Sequence, residues 1–136
     1  MNITELDTPA VLIDLDILDR NLQRAQSYCD EHKILFRPHI KTHKIPEIGR
    51  MQVELGAVGL TCAKIGEAEV MADAGITDLF IAYPIWGEQK LKRLVELGDR
   101  CKLTVAFDTL EVAEGISKAM RAAGQEVTAL VEIDTG

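Results

Sequence analysis

The feature that most narrows what this chain can fold into is an alternation of short apolar runs with amphipathic stretches, renewed about every 21 to 25 residues. Residues 10–15 (AVLIDL) read as a strand and 16–32 as a helix with Leu18, Leu22 and Ala25 on one stripe. A strand is expected over 34–39, then a helix whose first turn holds Pro46, where the missing amide costs nothing, and which ends before Gly56. The same alternation continues with strands over 58–62, 79–82, 102–107 and 127–133. Helices are expected over 66–74, 89–97 and 110–123, with Gly75, Gly98 and Gly124 as their stop signals.

Spacing of this kind belongs to βα units whose consecutive strands run parallel. The strands are unbroken apolar runs such as Leu79-Phe80-Ile81-Ala82, which fits a sheet covered on both faces. No GxGxxG and no GxxxxGK[ST] follows an early strand, so the doubly wound nucleotide-binding sheets lose their usual signature. The α/β class that remains is the TIM-type (β/α)8 barrel, which normally takes about 250 residues. From residue 34 onward the 136 residues are expected to supply five strands and four helices. We therefore expect a barrel truncated after about its fifth strand, residues 1–136 being the N-terminal portion and the rest of the barrel lying outside this sequence.

Composition restricts the partners. The chain is 47% hydrophobic and 27% charged, an ordinary globular balance. Its formal charge of -7 and pI near 4.9 speak against nucleic acid or an anionic membrane as main partner. Cys29, Cys62 and Cys101 are few, odd in number and without a CxxC pair. They read as core residues in a reducing compartment rather than as a disulfide or zinc framework. With no signal-peptide pattern at MNITELDTPA and no apolar run long enough to span a membrane, the expected location is the cytoplasm.

Chemistry in a barrel gathers where strands end and βα loops begin. One such end is unusual: Arg37-Pro38-His39-Ile40-Lys41-Thr42-His43-Lys44 carries five side chains that are or can become cationic. A basic run is most often a solvated loop. At the end of a buried strand, however, clustered cations are costly without an anionic guest such as a phosphate. Strand alternation predicts that Arg37, His39 and Lys41 point together into the barrel mouth. Neighbouring cations favour the neutral amine that Schiff-base chemistry requires at Lys41. His39 and His43 are four apart, a metal-pair spacing only on a helix, and Pro38 opposes a helix, so no metal is expected at this motif. Glu67 and Glu69 are expected on a solvated helix face.

Four segments together resemble a known family: TPAVLIDLD at 8–16, RPHIKTHK at 37–44, GLTCAKIGEAEVMADAGITDLFIAYP at 59–84, and EIDTG at 132–136. They are similar to the D-threonine aldolase and D-serine dehydratase family of alanine-racemase-like pyridoxal 5'-phosphate (PLP) enzymes. The resemblance implies a PLP barrel followed by a C-terminal β domain, against which residues 10–15 would pair, and a homodimer. It implies that Lys41 holds PLP; beside it, His39 or His43 is expected to assist by proton relay or by holding the substrate. It also implies a divalent metal whose ligands, like the loops that grip the cofactor phosphate, lie outside this sequence. Glu132 stands where racemases carry a lysine, which favours the lyases. The expected function is retro-aldol cleavage of D-3-hydroxy amino acids to glycine and an aldehyde. The alternatives are dehydration of D-serine, a PLP-binding homeostasis protein, or an inactive fragment. Each PLP reading requires Lys41 to stand at a cavity mouth rather than outward in bulk solvent.

Overall fold

The computed structural model describes residues 2–136. After a short 3-10 turn at Ile3–Glu5 come α1 (Leu15–Glu31), α2 (Pro46–Leu55), β1 (Leu60–Cys62), α3 (Ile65–Asp73) and β2 (Asp78–Ile81). They are followed by α4 (Glu88–Gly98), β3 (Lys102–Phe107), α5 (Leu110–Ala122) and β4 (Thr128–Val131). The strands form one sheet in the order β1-β2-β3-β4, every pair parallel. Sequence order equals spatial order, as in a (β/α)8 barrel, where each helix returns the chain to start the next neighbouring strand. The expected fold class stands.

Strand alternation divides the sheet into two unlike faces. Leu60, Cys62, Leu79, Ile81, Leu103 and Val105 are all buried and belong to one core with Ile65, Ala68 and Met71 of α3, Leu94 and Leu97 of α4, and Val112, Ile116 and Met120 of α5. Each fully buried aliphatic side chain contributes about 1.5–3 kcal/mol relative to exposure, so this helix-covered face holds the unit together. The opposite face carries Thr61, Phe80, Thr104 and Thr128, aligned rung by rung across the four strands. β4 is exposed along its whole length.

Two expected strands do not form as such. Residues 10–14 have no regular structure, and Val11 is 96% exposed. Asp14 instead caps α1, accepting a hydrogen bond from the Ile17 amide at 3.0 Å. That capping preference takes an acidic residue out of the run read as strand. Residues 34–39 do lie parallel to β1, but the ladder is reduced to one bridge, His39 to Thr61. Thr61 N donates to Pro38 O at 2.8 Å and Ile40 N to Thr61 O at 2.9 Å, whereas the next bond backward runs from Val58 N to Phe36 O. Pro38 has no amide to give the intervening rung, and three residues on the β1 side oppose two on the other.

Gly59 occupies that offset with φ of 152°, and a Cβ there would lie 2.3 Å from Arg37 Nη1 and 2.4 Å from the Asp78 carbonyl. Its bareness lets Arg37 cross to Asp78, forming an ion pair at 2.8 Å that Lys102 joins from the other side at 2.9 Å. Gly59→Ala is therefore expected to lower unfolding free energy by about 2 kcal/mol or more. Urea denaturation followed by circular dichroism reads this as a lower midpoint with unchanged slope.

Candidate active site

Ile40 decides how the basic segment is presented. Its side chain has no exposure and belongs to the helix-side core, so by alternation His39 projects from the other face, and Lys41 follows in an exposed turn. Lys44 N donates to Ile40 O at 2.8 Å, closing one tight turn over 40–44. Lys44 itself has φ of 55°, a left-handed conformation that costs an L-residue roughly 1–2 kcal/mol.

The five cationic candidates of this segment stand in different surroundings, and several expectations change. Arg37 is not part of the mouth: it is held by Asp78, at the start of β2 and the opposite end of the sheet. Lys44 is not an open cation, because its ammonium pairs with Glu67. Glu67 in turn is not on a solvated face. It is buried, 5% exposed, and its other oxygen accepts the Ala63 amide at 2.7 Å. Helix α3 begins after Lys64, which has no acceptor to cap it. A glutamate in the first turn reaching back along the chain supplies what the cap lacks, as in half of a capping box. The spacing of Glu67 after Lys64, just before an apolar helix, was the available signal. Glu69 is half-buried and bound by Arg93 through two contacts of 2.7 and 2.5 Å.

Lys41 is exposed and makes no ion pair among the described residues. Its amide donates to His39 Nδ1 at 3.2 Å, and the Ile45 amide donates to His43 Nδ1 at 3.0 Å. Each ring nitrogen that accepts must be unprotonated, so the neutral imidazole carries its hydrogen on Nε2. Burial pushes both histidines below the ordinary 6.5, reinforced at His39 by Lys41 and Lys44 and opposed there by Glu67. His39 is partly open, whereas His43 is half-buried with its Nε2 enclosed. Cys62, sealed in the core, has its thiol pushed up to about 12 by burial and then by Glu67.

The enclosing mouth expected above Lys41 is not formed by these residues. A cavity of about 530 Å³ opens beyond β1 and β2, with Lys64, Gly66, Tyr83, Lys90 and Arg93 among its walls, and Lys41 is not one of them. Ile65, Ile81 and Ile85 of the helix-side core complete it, so it lies on the wrong face. Four strands of an eight-strand barrel cannot surround the inner face. Among the described residues no group of three or more His, Cys, Asp or Glu side chains could hold a metal ion. The residues present therefore do not fit a divalent metal. They do fit a carbonyl-bearing cofactor: an unpaired amine at a strand end, its backbone tied to a neutral imidazole.

Residues 13–136 match the alanine racemase N-terminal domain family. The chain belongs to that family. It is 38% identical over 134 residues to a D-threonine aldolase of Arthrobacter sp, covering 98% of this chain and 35% of the relative. Against the D-threo-3-hydroxyaspartate dehydratase of Delftia sp. strain HT23 it is 36% identical, covering 96% of this chain and 34% of the other. The crystal structure of D-threonine aldolase from Filomicrobium marinum superposes with a TM-score of 0.96 at 42% identity, covering 98% of this chain and 36% of that one. The chain thus spans about a third of the length of these relatives.

Acid should expose the ion pairs of this domain. Burial pushes the Glu67 carboxyl up, but Lys44, the Ala63 amide and Lys64 outweigh it and hold it below the ordinary 4.5. Asp78 sits below 3.8 because Lys102 and Arg37 likewise outweigh burial. Both bind protons less readily folded than unfolded, so their stabilisation is complete above those ordinary values and is lost as pH falls. The depressed histidines add a loss that begins below 6.5. Lys44→Met is expected to cost about 1–3 kcal/mol at neutral pH and to flatten the decline near pH 4.5. Thermal midpoints measured from pH 7 to 3 check both.

Proposed function

We propose that this domain belongs to a PLP-dependent lyase acting on D-3-hydroxy amino acids, cleaving them to glycine and an aldehyde, with Lys41 as the residue that holds the cofactor. The observation that carries the reading is the isolation of Lys41 Nζ. Arg37 and Lys44, the cations beside it in sequence, are bound by Asp78 and Glu67, leaving the Lys41 amine without a carboxylate partner. The relatives at 38% and 36% identity are named for reactions of β-hydroxy D-amino acids, one an aldolase and one a dehydratase.

When bound, PLP supplies an electron sink for the bond that breaks at the substrate's Cα. The rest is the work of the chain's own groups. Lys41 Nζ, freed when substrate takes its place, is the base that collects or returns a proton at Cα or the β-hydroxyl. His39, with Nδ1 occupied by the Lys41 amide, presents Nε2–H as a donor toward the substrate. His43, whose Nδ1 holds the Ile45 amide, keeps the turn in shape and supports catalysis through that geometry. The remaining barrel strands and a C-terminal β domain would supply the phosphate loops, the enclosing walls and the metal ligands of a homodimeric enzyme. The unpaired Cys29, Cys62 and Cys101 suit a cytoplasmic setting.

A second reading, dehydration of the same substrate class to ammonia and a keto acid, is supported by the dehydratase relative. Product analysis with D-threonine and D-serine separates the two, since the aldolase yields glycine and the dehydratase ammonia. Lys41→Ala should remove the visible absorbance of bound PLP and lower kcat by on the order of 10³-fold or more. A variant that keeps the band and full turnover would end the proposal.

A further inference from the structure

We infer that Glu67 is a positioning residue of the reaction, clamping the turn that carries Lys41 to the loop after β1 so that the amine and His39 keep one relative placement. The inference rests on the cofactor-binding reading of Lys41 and names the group that holds that lysine's segment in place.

A plain alternative is that Glu67 merely caps α3. A role confined to the start of α3 needs one carboxylate oxygen, and the contact to the Ala63 amide just before the helix, at 2.7 Å, accounts for it. The second carboxylate oxygen does something a cap does not. It leaves its own βα unit and takes the Lys44 ammonium, 23 residues back in the chain. Lys44 is three residues from Lys41, and its amide closes the same turn on Ile40. The turn is thus fixed at its start by a side chain with no exposure and at its end by an ion pair whose acid is 5% exposed.

Two further observations agree. Lys44 adopts a left-handed backbone, where glycine or asparagine would be the undemanding choice. A lysine there keeps the one side chain that reaches Glu67. The pair also acts electrically on the candidate donor, since Glu67 raises and Lys44 lowers the affinity of His39 for a proton. A carboxylate that holds both loops therefore sets where the two reacting groups stand, while burial, Lys41 and Lys44 outweigh its charge and hold His39 below the ordinary imidazole value.

The test uses the complete enzyme, this domain together with the remaining barrel and β domain proposed above, comparing wild type with Glu67→Gln, Lys44→Met and Lys44→Arg. Fold is checked by circular dichroism. PLP affinity is taken from absorbance titration, and kcat and KM are measured with D-threonine. Glu67→Gln and Lys44→Met are expected to stay folded and to bind PLP on the order of 10-fold more weakly. Their kcat should fall up to about 100-fold, well beyond any rise in KM. Lys44→Arg, which keeps the charge, should return affinity and kcat close to wild type. Folded variants with wild-type PLP affinity and kcat overturn the inference, as does failure of both Glu67→Gln and Lys44→Met to fold, which would make the pair purely structural. If only Glu67→Gln misfolds, the half-exposed Lys44→Met decides. Absence of PLP uptake by wild type overturns the underlying reading and this inference with it. Uptake with unchanged variants overturns this inference alone.

Discussion

Every functional statement about this domain depends on where Ile40 is buried. With that side chain packed among the helices, strand geometry puts His39 on the other face, and Lys41 follows it into the exposed turn. A shift of one residue would turn His39 into the core, where an unpaired polar group is costly. The bridge from His39 to Thr61, made by two backbone hydrogen bonds, prevents that shift. A single buried isoleucine and one rung of sheet therefore orient the candidate chemistry.

Charge is then distributed by pairing rather than by crowding. Five potential cations in eight residues suggest a single electropositive patch, but acids from separate parts of the chain claim two of them. Asp78 takes Arg37 at the lower end of the sheet, across the gap left by Gly59. Glu67 takes Lys44 at the upper end. Lys41 remains unpaired, beside histidines that burial holds below the ordinary imidazole value and whose Nδ1 atoms accept backbone amides. The crowding of cations expected around Lys41 is thus replaced by ion pairs that tie Arg37 and Lys44 to separate acids.

The fold was largely legible in the sequence because its signals are local. Apolar runs, glycine stops and Pro46 at the start of α2 need no knowledge of distant residues, and the helices and β3 lie close to their expected places. Residues 10–15 misled because hydrophobicity alone does not make a strand without a partner, and Asp14 had a cap to form. In the segment 34–39 the Pro38 amide that a continuous ladder needs is missing. At the site, Lys41, His39 and His43 could be named from their motif. Arg37 and Glu67 stand elsewhere than expected for one reason: their partners lie 41 and 23 residues away. No periodicity in a single chain reports which acid will meet which base.

The central claim is that one particular amine, in the exposed turn after His39, carries the cofactor. The most direct measurement is borohydride reduction of the PLP-loaded protein followed by peptide mapping on a mass spectrometer. The account predicts a stable phosphopyridoxyl adduct confined to Lys41. An adduct on Lys44 or Lys64 with Lys41 unmodified would contradict it, because those side chains stand in different surroundings and the chemistry would have to be built elsewhere.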